Sequence, residues 1–128
     1  MELARLPEVL IIQLKRFEWN NVFFSEKINT LIDYPLNALN MSQHCINSKD
    51  AVRSGEEPIY DLYAVSNHFG RMGFGHYTAC CRDLDVKNED TQWYTLDDSS
   101  CRKCDEADVV TNAGYVLFYQ LRKNVRTK

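Results

Sequence analysis

One histidine in this chain, His76, has the surroundings that proton transfer requires. It follows the glycine-rich segment 70–75, where glycines permit close approach of another backbone, and it begins a segment with strand character. Asp97 lies at the end of the next predicted strand, so a hairpin would bring the two side chains together. A histidine that takes a proton from a nucleophile and a carboxylate that orients its ring are two members of a catalytic triad.

The same spacing allows a second interpretation. A partly exposed histidine that is hydrogen-bonded to the carboxylate of a turn would produce the same pattern on neighbouring strands. The two interpretations stay open on spacing alone.

The five cysteines predict neither a disulfide framework nor a metal centre. Their number is odd and Cys80 and Cys81 are adjacent, which favours reduced thiols in a cytosolic or nuclear setting. Cys101 and Cys104 have the spacing of half a zinc site, but a tetrahedral site needs two further ligands. Cys80 and Cys81 would point to opposite faces of a strand, so both cannot join one site. We therefore expect no disulfide, no metal and no cofactor.

Strand patterns cover most of the chain and position these residues. Runs of β-branched and aromatic side chains predict strands over 9–17, 27–34, 59–66, 76–81, 92–96 and 114–121. The first run opens with consecutive apolar residues, which is typical of a core strand. A short helix is expected over 105–110 and a polar turn over 83–90. About six strands with little helix favour a predominantly β fold, an antiparallel sheet or half-barrel.

Composition and charge exclude several classes of protein. A chain of 128 residues with a formal net charge of -3 is one domain without the basic balance of a nucleic-acid binder. Its longest apolar run, 9–12, is far shorter than the roughly 20 residues of a membrane-spanning helix, so we expect no membrane partner. The stretch 37–58 is polar, and we interpret His44 and Cys45 within it as solvated.

Seven motifs occur in order along nearly the whole chain. They are 6–17 (LPEVLIIQLKRF), 27–28 (KI), 34–36 (YPL), 60–70 (YDLYAVSNHFG), 75–79 (GHYTA), 93–99 (WYTLDDS) and 113–119 (AGYVLFY). In this order they resemble the ubiquitin-specific proteases, which are papain-like cysteine deubiquitinases of the α+β class. The resemblance implies that residues 1–128 are a C-terminal segment of the catalytic domain, containing the palm and the base of the fingers.

By this resemblance, His76 is the general base, Asp97 orients it, and the neighbouring Asp98 supports the catalytic centre. None of the cysteines matches the family's catalytic cysteine, which lies upstream of the first motif. The resemblance therefore implies that thiol-dependent hydrolysis after the ubiquitin C-terminal glycine needs the upstream part of the same domain, and that the isolated chain is inactive. The alternative is a catalytically silent ubiquitin-binding or scaffold module with the same fold.

The resemblance also implies a channel for the ubiquitin C-terminal tail. It assigns His68, Gly75 and Tyr77 to tail binding, and it interprets 68–75 and 40–58 as two loops flanking the channel. From pattern alone, Tyr77 fits a core aromatic equally well. Two departures stand out: Gln13 occupies a position that is often histidine, and the glycine-rich loop contains bulkier residues such as Arg71 and Phe74. The implied partners are ubiquitin and ubiquitinated proteins. The implied location is intracellular, in the cytoplasm or the nucleus.

Overall fold

The computed structural model describes residues 3–21, 24–45, 57–71, 74–84 and 92–122, and only the backbone of 18–21 and 24–26. The polar stretch predicted over 40–58 and the polar turn over 83–90 therefore lie largely outside the described residues. No helix within the described ranges is long and apolar enough to cross a membrane.

An antiparallel sheet dominates the described chain, as predicted, and it has seven strands rather than about six. Its hydrogen-bonded order is β1-β9-β5-β6-β7-β8, and β4 pairs with the beginning of β5. A separate two-stranded ribbon contains β2 and β3. The strands are β1 (Val9–Gln13), β2 (Phe17–Asn21), β3 (Phe24–Lys27), β4 (Leu39–Asn40), β5 (Ile59–Phe69), β6 (His76–Cys81), β7 (Trp93–Asp97), β8 (Ser100–Cys104) and β9 (Gly114–Leu121).

The core lies where β5 and β9 run side by side in the middle of the sheet. Tyr60, Leu62 and Val65 of β5 are fully buried, and Leu117 and Tyr119 of β9 are nearly so. Burying large side chains of this kind contributes about 1.5–3 kcal/mol each, so this strand pair anchors its neighbours. The sheet thereby provides a rigid support for the exposed ends of β5, β6 and β7.

A strand begins at Val9 as predicted, but its predicted extent to Phe17 and its assignment as a core strand are wrong. β1 ends at Gln13 and lies at the edge of the described sheet, paired with β9 alone. Its side chains alternate between exposed and half-buried, with Ile11 59% exposed. Only one face of β1 packs against the protein, so an apolar run here does not indicate burial on both faces.

The prediction of a strand over 27–34 is also wrong, because β3 ends at Lys27. Buried Arg16 donates hydrogen bonds to the carbonyls of Ile28 and Thr30, at 3.1 and 2.7 Å, and its Nε donates to Gly114 O at 2.6 Å. Those carbonyls bind a guanidinium rather than a neighbouring strand. The alternating pattern cannot reveal such a competing partner.

Two further elements differ from expectation. The segment containing Cys101 and Cys104 forms strand β8, which the sequence analysis did not predict. The helix expected over 105–110 is a single 3-10 turn, Glu106–Asp108, in which Asp105 and Asp108 form a capping box. Another 3-10 turn spans Ser42–His44.

A buried arginine fastens one end of the central strands. Arg82 donates to the carbonyls of Leu62 and Leu36, both at 2.7 Å, and to Asn37 Oδ1 at 2.8 Å. Its guanidinium carbon lies 4.8 Å from the centroid of the Trp93 ring, a cation–π geometry. Burial lowers the pKa of Arg82 from its ordinary value, but guanidinium remains charged at all physiological pH values.

Candidate active site

The candidate base and acid meet at the exposed end of β6 and β7. His76 is the first residue of β6 and Asp97 the last of β7, and His76 Nε2 lies 2.6 Å from Asp97 Oδ1. Their side chains are 50% and 39% exposed. A ring whose Nε2–H donates to a carboxylate has Nδ1 as its other nitrogen, which can accept a proton from a nucleophile.

The register of the sheet explains this contact. Ala79 pairs with Leu96, so His76 and Asp97 approach diagonally across the β6–β7 pair and point to the same face. Asp97 is also paired with Ser100, which starts β8 after the turn of Asp98 and Ser99. Asp97 is therefore held in β7 and is paired with β8, the strand that follows its turn.

Asp98 lies beside the pair, in the turn. Its φ of 50° is in the left-handed region, which aspartate tolerates better than most residues. Its carboxylate, the Asp97 carboxylate and the His76 ring offer ligand atoms that all lie within 4.8 Å of one another. These three side chains are the ones in the described chain that could share a cation, although exposed acidic groups are often close together without one.

The cysteines lie elsewhere. All five are free thiols. Cys101 and Cys104 are three residues apart on β8 and so point to opposite faces, as do the adjacent Cys80 and Cys81. Burial is the largest cause that raises the pKa of the Cys80 and Cys81 thiols, which makes both poor nucleophiles near neutral pH.

His68 is buried, with 2% exposure, rather than lying on the surface. Its ring forms edge contacts with Phe17 and Tyr77, at centroid distances of 5.4 and 4.9 Å, and lies 6.1 Å from the Tyr115 ring. Nδ1 of this ring has no hydrogen-bond partner among the described residues. Burial, and secondarily the charge of Lys27, lowers the pKa of His68, so the ring is held neutral.

Gly75 packs directly on the His68 ring. A Cβ atom added at Gly75 would lie 1.9 Å from His68 Nε2, far inside any possible contact. Gly75 has no positive φ, so its need for glycine is steric, whereas Gly70 has φ 94°. Tyr77 contacts the His68 ring and is 57% exposed, so it is neither a core aromatic nor fully solvated.

Several residues at this site were not singled out from the sequence. Lys27 Nζ donates to the carbonyl of His68 at 2.6 Å, which ties β3 to the end of β5. Gln13, a noted departure from the family pattern, donates to the Tyr115 hydroxyl at 2.8 Å. The motifs contained these residues, but contacts between positions so distant in the chain leave no periodic signal. Met72 and Gly73 of the glycine-rich loop lie outside the described residues.

Comparisons with known proteins show which family this chain resembles. The family model described as ubiquitin carboxyl-terminal hydrolase matches residues 1–119. Human ubiquitin carboxyl-terminal hydrolase 19 is 46% identical over 125 residues, which cover 95% of this chain and 9% of the relative. Mouse ubiquitin carboxyl-terminal hydrolase 4 is 43% identical over 121 residues, 94% of this chain and 12% of the relative. The chain thus spans about a tenth of the length of these curated relatives.

Solved structures show the same sheet. The SAGA Ubp8/Sgf11/Sus1/Sgf73 DUB module bound to ubiquitin aldehyde matches with a TM-score of 0.77 and 30% identity, covering 95% of this chain and 26% of that one. The module bound to monoubiquitin matches with a TM-score of 0.76 and 30% identity, over 95% and 25% of the two chains.

Proposed function

Because this chain belongs to the ubiquitin carboxyl-terminal hydrolase family, we propose that it supplies the general base and the orienting acid of a deubiquitinating cysteine protease. The observation that carries the proposal is the 2.6 Å contact between His76 Nε2 and Asp97 Oδ1 at an exposed strand end. The substrate is the isopeptide bond after the C-terminal glycine of ubiquitin. Residues 1–128 are a segment of the catalytic domain, comprising the palm and the base of the fingers.

The pair suits a papain-like division of work. Asp97 accepts a hydrogen bond from the Nε2–H of His76, which leaves Nδ1 to take the proton of a thiol. The thiolate attacks the isopeptide carbonyl, and the imidazolium then protonates the departing lysine amine as the C–N bond breaks, which leaves ubiquitin bound to the cysteine as a thioester. In the second half, His76 takes a proton from water as the resulting hydroxide attacks the thioester. The C–S bond breaks, and the imidazolium returns this proton to the departing thiolate. Asp97 stabilises the imidazolium in both halves, and Asp98 supports it from the turn.

The thiol comes from a part of the enzyme outside this chain. Among the described hydrogen bonds, His76 pairs with Asp97 and no cysteine approaches it. Cys80, the most buried thiol, contacts Asn67 and Thr95 instead, at 3.6 and 3.9 Å. The isolated chain therefore has a base and an orienter but no nucleophile.

Ubiquitin binds through its C-terminal tail, beside the base. Gly75 is exposed and lacks a side chain, so it lets the backbone of a glycine-ended tail lie close to the strand. Half-exposed Tyr77 flanks that path. His68 contributes indirectly, because Gly75 packs against its buried ring. Ubiquitinated proteins are the partners, in an intracellular compartment that keeps the thiols reduced.

The absence of a thiol beside His76 also fits a second function. A silent ubiquitin-binding or scaffold module would keep the sheet and the tail path without catalysis. A cysteine closely preceded by asparagine, upstream of Leu6 in the longer protein, would distinguish the enzyme from the module.

The test compares the longer protein that contains this chain with its His76→Ala variant on a ubiquitin–amide reporter. Removing the base should lower kcat by several orders of magnitude, while ubiquitin affinity stays nearly unchanged. The isolated chain should show no turnover. Strong loss of binding with little loss of rate would assign His76 to recognition. Turnover by the isolated chain that disappears on mutating Cys80, Cys81, Cys101 or Cys104 would refute the proposal that the nucleophile lies elsewhere.

A further inference from the structure

The residues on either side of His76 rest on one buried ring. Gly75 precedes the base and Tyr77 follows it, and both contact His68, which pairs with Tyr77 across the β5–β6 ladder. Whatever holds the His68 ring in place therefore holds the backbone from which His76 projects.

The His68 ring has little freedom to move. Its backbone N–H donates to Ala113 O at 2.9 Å, and its carbonyl accepts from Lys27 Nζ at 2.6 Å. Phe17 and Tyr115 contact the ring on the side of β2 and β9. Side chains in packed interiors cannot shift by more than a fraction of an ångström without a cost in free energy. The His68 ring therefore stays in a fixed position against Gly75.

We infer that His68 is a positioning residue for His76, because its buried ring fixes the backbone on both sides of the base through Gly75 and Tyr77. The consequence for catalysis rests on the proposed function, but the positioning itself does not. The glycine at position 75 is then required because of His68 and not because of its own backbone conformation, and removing one should relieve the need for the other.

A steric suppression experiment tests this relation. Gly75→Ala places a methyl group against His68 Nε2, and it should displace His76 from Asp97. In His68→Ala combined with Gly75→Ala, the clashing ring is gone, so the contact should recover in part. Phe74→Ala is the matched control, because Phe74 precedes Gly75 in the same loop and is 91% exposed.

The readout is the downfield NMR signal of the His76 Nε2 proton in the longer protein that contains this chain, which needs neither turnover nor ubiquitin. We expect its exchange with water to become about tenfold faster or more in Gly75→Ala, since breaking the hydrogen bond removes its protection. The double variant should exchange more slowly than Gly75→Ala but faster than the parent, because the ring that fixes the backbone is missing. Phe74→Ala should match the parent. If Gly75→Ala does not fold while the double variant does, that rescue also supports the inference.

Two results would overturn the inference. One is a His76 signal that Gly75→Ala leaves unchanged. The other is a double variant that exchanges as fast as Gly75→Ala, or that fails to fold as Gly75→Ala does. Because hydrolysis is not measured, a longer protein without activity would contradict the proposed function and leave this result standing.

Discussion

Strands β5, β6 and β7 lie side by side, and the two ends of this group differ in burial and in polar contacts. At one end Phe69 and His76 are exposed and Asp97 is half-buried, and the polar contact there joins two titratable side chains. At the other end Arg82 is buried, donates to backbone carbonyls and lies over Trp93. The buried end contributes stability because its polar atoms are paired away from water. At the other end solvent reaches the His76 and Asp97 side chains, as proton transfer in the proposed function requires.

The comparison predicts that substitutions at the two ends affect different quantities. Changes at the His76 end should lower the rate of the longer enzyme without unfolding it. Changes at the Arg82 end should lower the free energy of unfolding without moving the His76–Asp97 contact.

The largest effect is expected at Asp97. Asp97→Ala in the longer enzyme should raise the barrier by about 3–5 kcal/mol, because the imidazolium loses its charge partner and the ring loses its orientation. Asp97→Asn should have a much smaller effect, since its amide oxygen can still accept a hydrogen bond from the Nε2–H of His76. Steady-state kcat measures both, and thermal unfolding checks that both variants stay folded. If Asp98→Ala abolished activity while Asp97→Ala did not, the orienting role would belong to the turn residue.

The opposite end should respond in stability. Arg82→Met should cost about 3 kcal/mol of unfolding free energy, because it leaves the buried carbonyl of Leu62 without a donor and removes the bonds to Leu36 O and Asn37 Oδ1. Urea denaturation measures this, with Arg102→Met on exposed β8 as the control expected to change stability by less than about 0.5 kcal/mol. Loss of the His76 Nε2 proton signal in folded Arg82→Met would show that the two ends are coupled.

A smaller loss is expected at Tyr34, which is buried in the core. Its hydroxyl donates to Val109 O at 2.6 Å in a buried setting. Tyr34→Phe should cost about 1–2 kcal/mol, because Val109 O loses its donor. Tyr94→Phe is a suitable control in the same denaturation experiment, since the described residues give the Tyr94 hydroxyl no partner. Equal effects of the two substitutions would contradict the assignment.

The smallest predicted effect depends on pH. Burial would raise the pKa of Asp61, but hydrogen bonds from Arg122 and the Ala38 N–H, with the charges of Arg122 and Arg82, lower it overall. A lowered pKa in the folded state stabilises above the unfolded value of about 3.9, and this stabilisation disappears as pH falls through the folded pKa. Asp61→Asn should reduce the loss of unfolding free energy on acidification by about 1 kcal/mol or less. An unchanged acid transition would show that the pair contributes nothing.

The sequence was sufficient to predict the contact at the exposed end, because it depends on local features. A glycine-rich loop before His76 and a turn after Asp97 mark the ends of two consecutive strands, and consecutive strands usually pair. The predominantly β fold followed from the same patterns. The deubiquitinase family was recognised from motifs, and not from any physical property of the chain.

The burial of His68 could not be predicted, because β5 is irregular and the ring is covered by aromatic residues that are distant in the chain. Burial passes from even positions (Tyr60 and Leu62) to the odd position Val65 after an irregularity in pairing with β9 between Leu62 and Ala64. A second irregularity lies between Ser66 and Asn67, and the adjacent Asn67 and His68 are then both buried. One extra residue in a strand exchanges inside for outside. Alternation assumes an uninterrupted strand, and so it fails beyond such a point. The guanidinium contacts of Arg16 and Arg82 are similarly invisible to local patterns.

The edges of the described sheet differ in how they would behave at high protein concentration. β1 and β8 each pair on one side only, so each offers free backbone hydrogen-bonding groups to another molecule. Charged residues on an edge discourage such pairing, and β8 contains Arg102 and Lys103. β1 contains no charge and exposes Val9 and Ile11. Self-association of this chain should therefore begin at β1, and a lysine introduced at Ile11 would keep it monomeric.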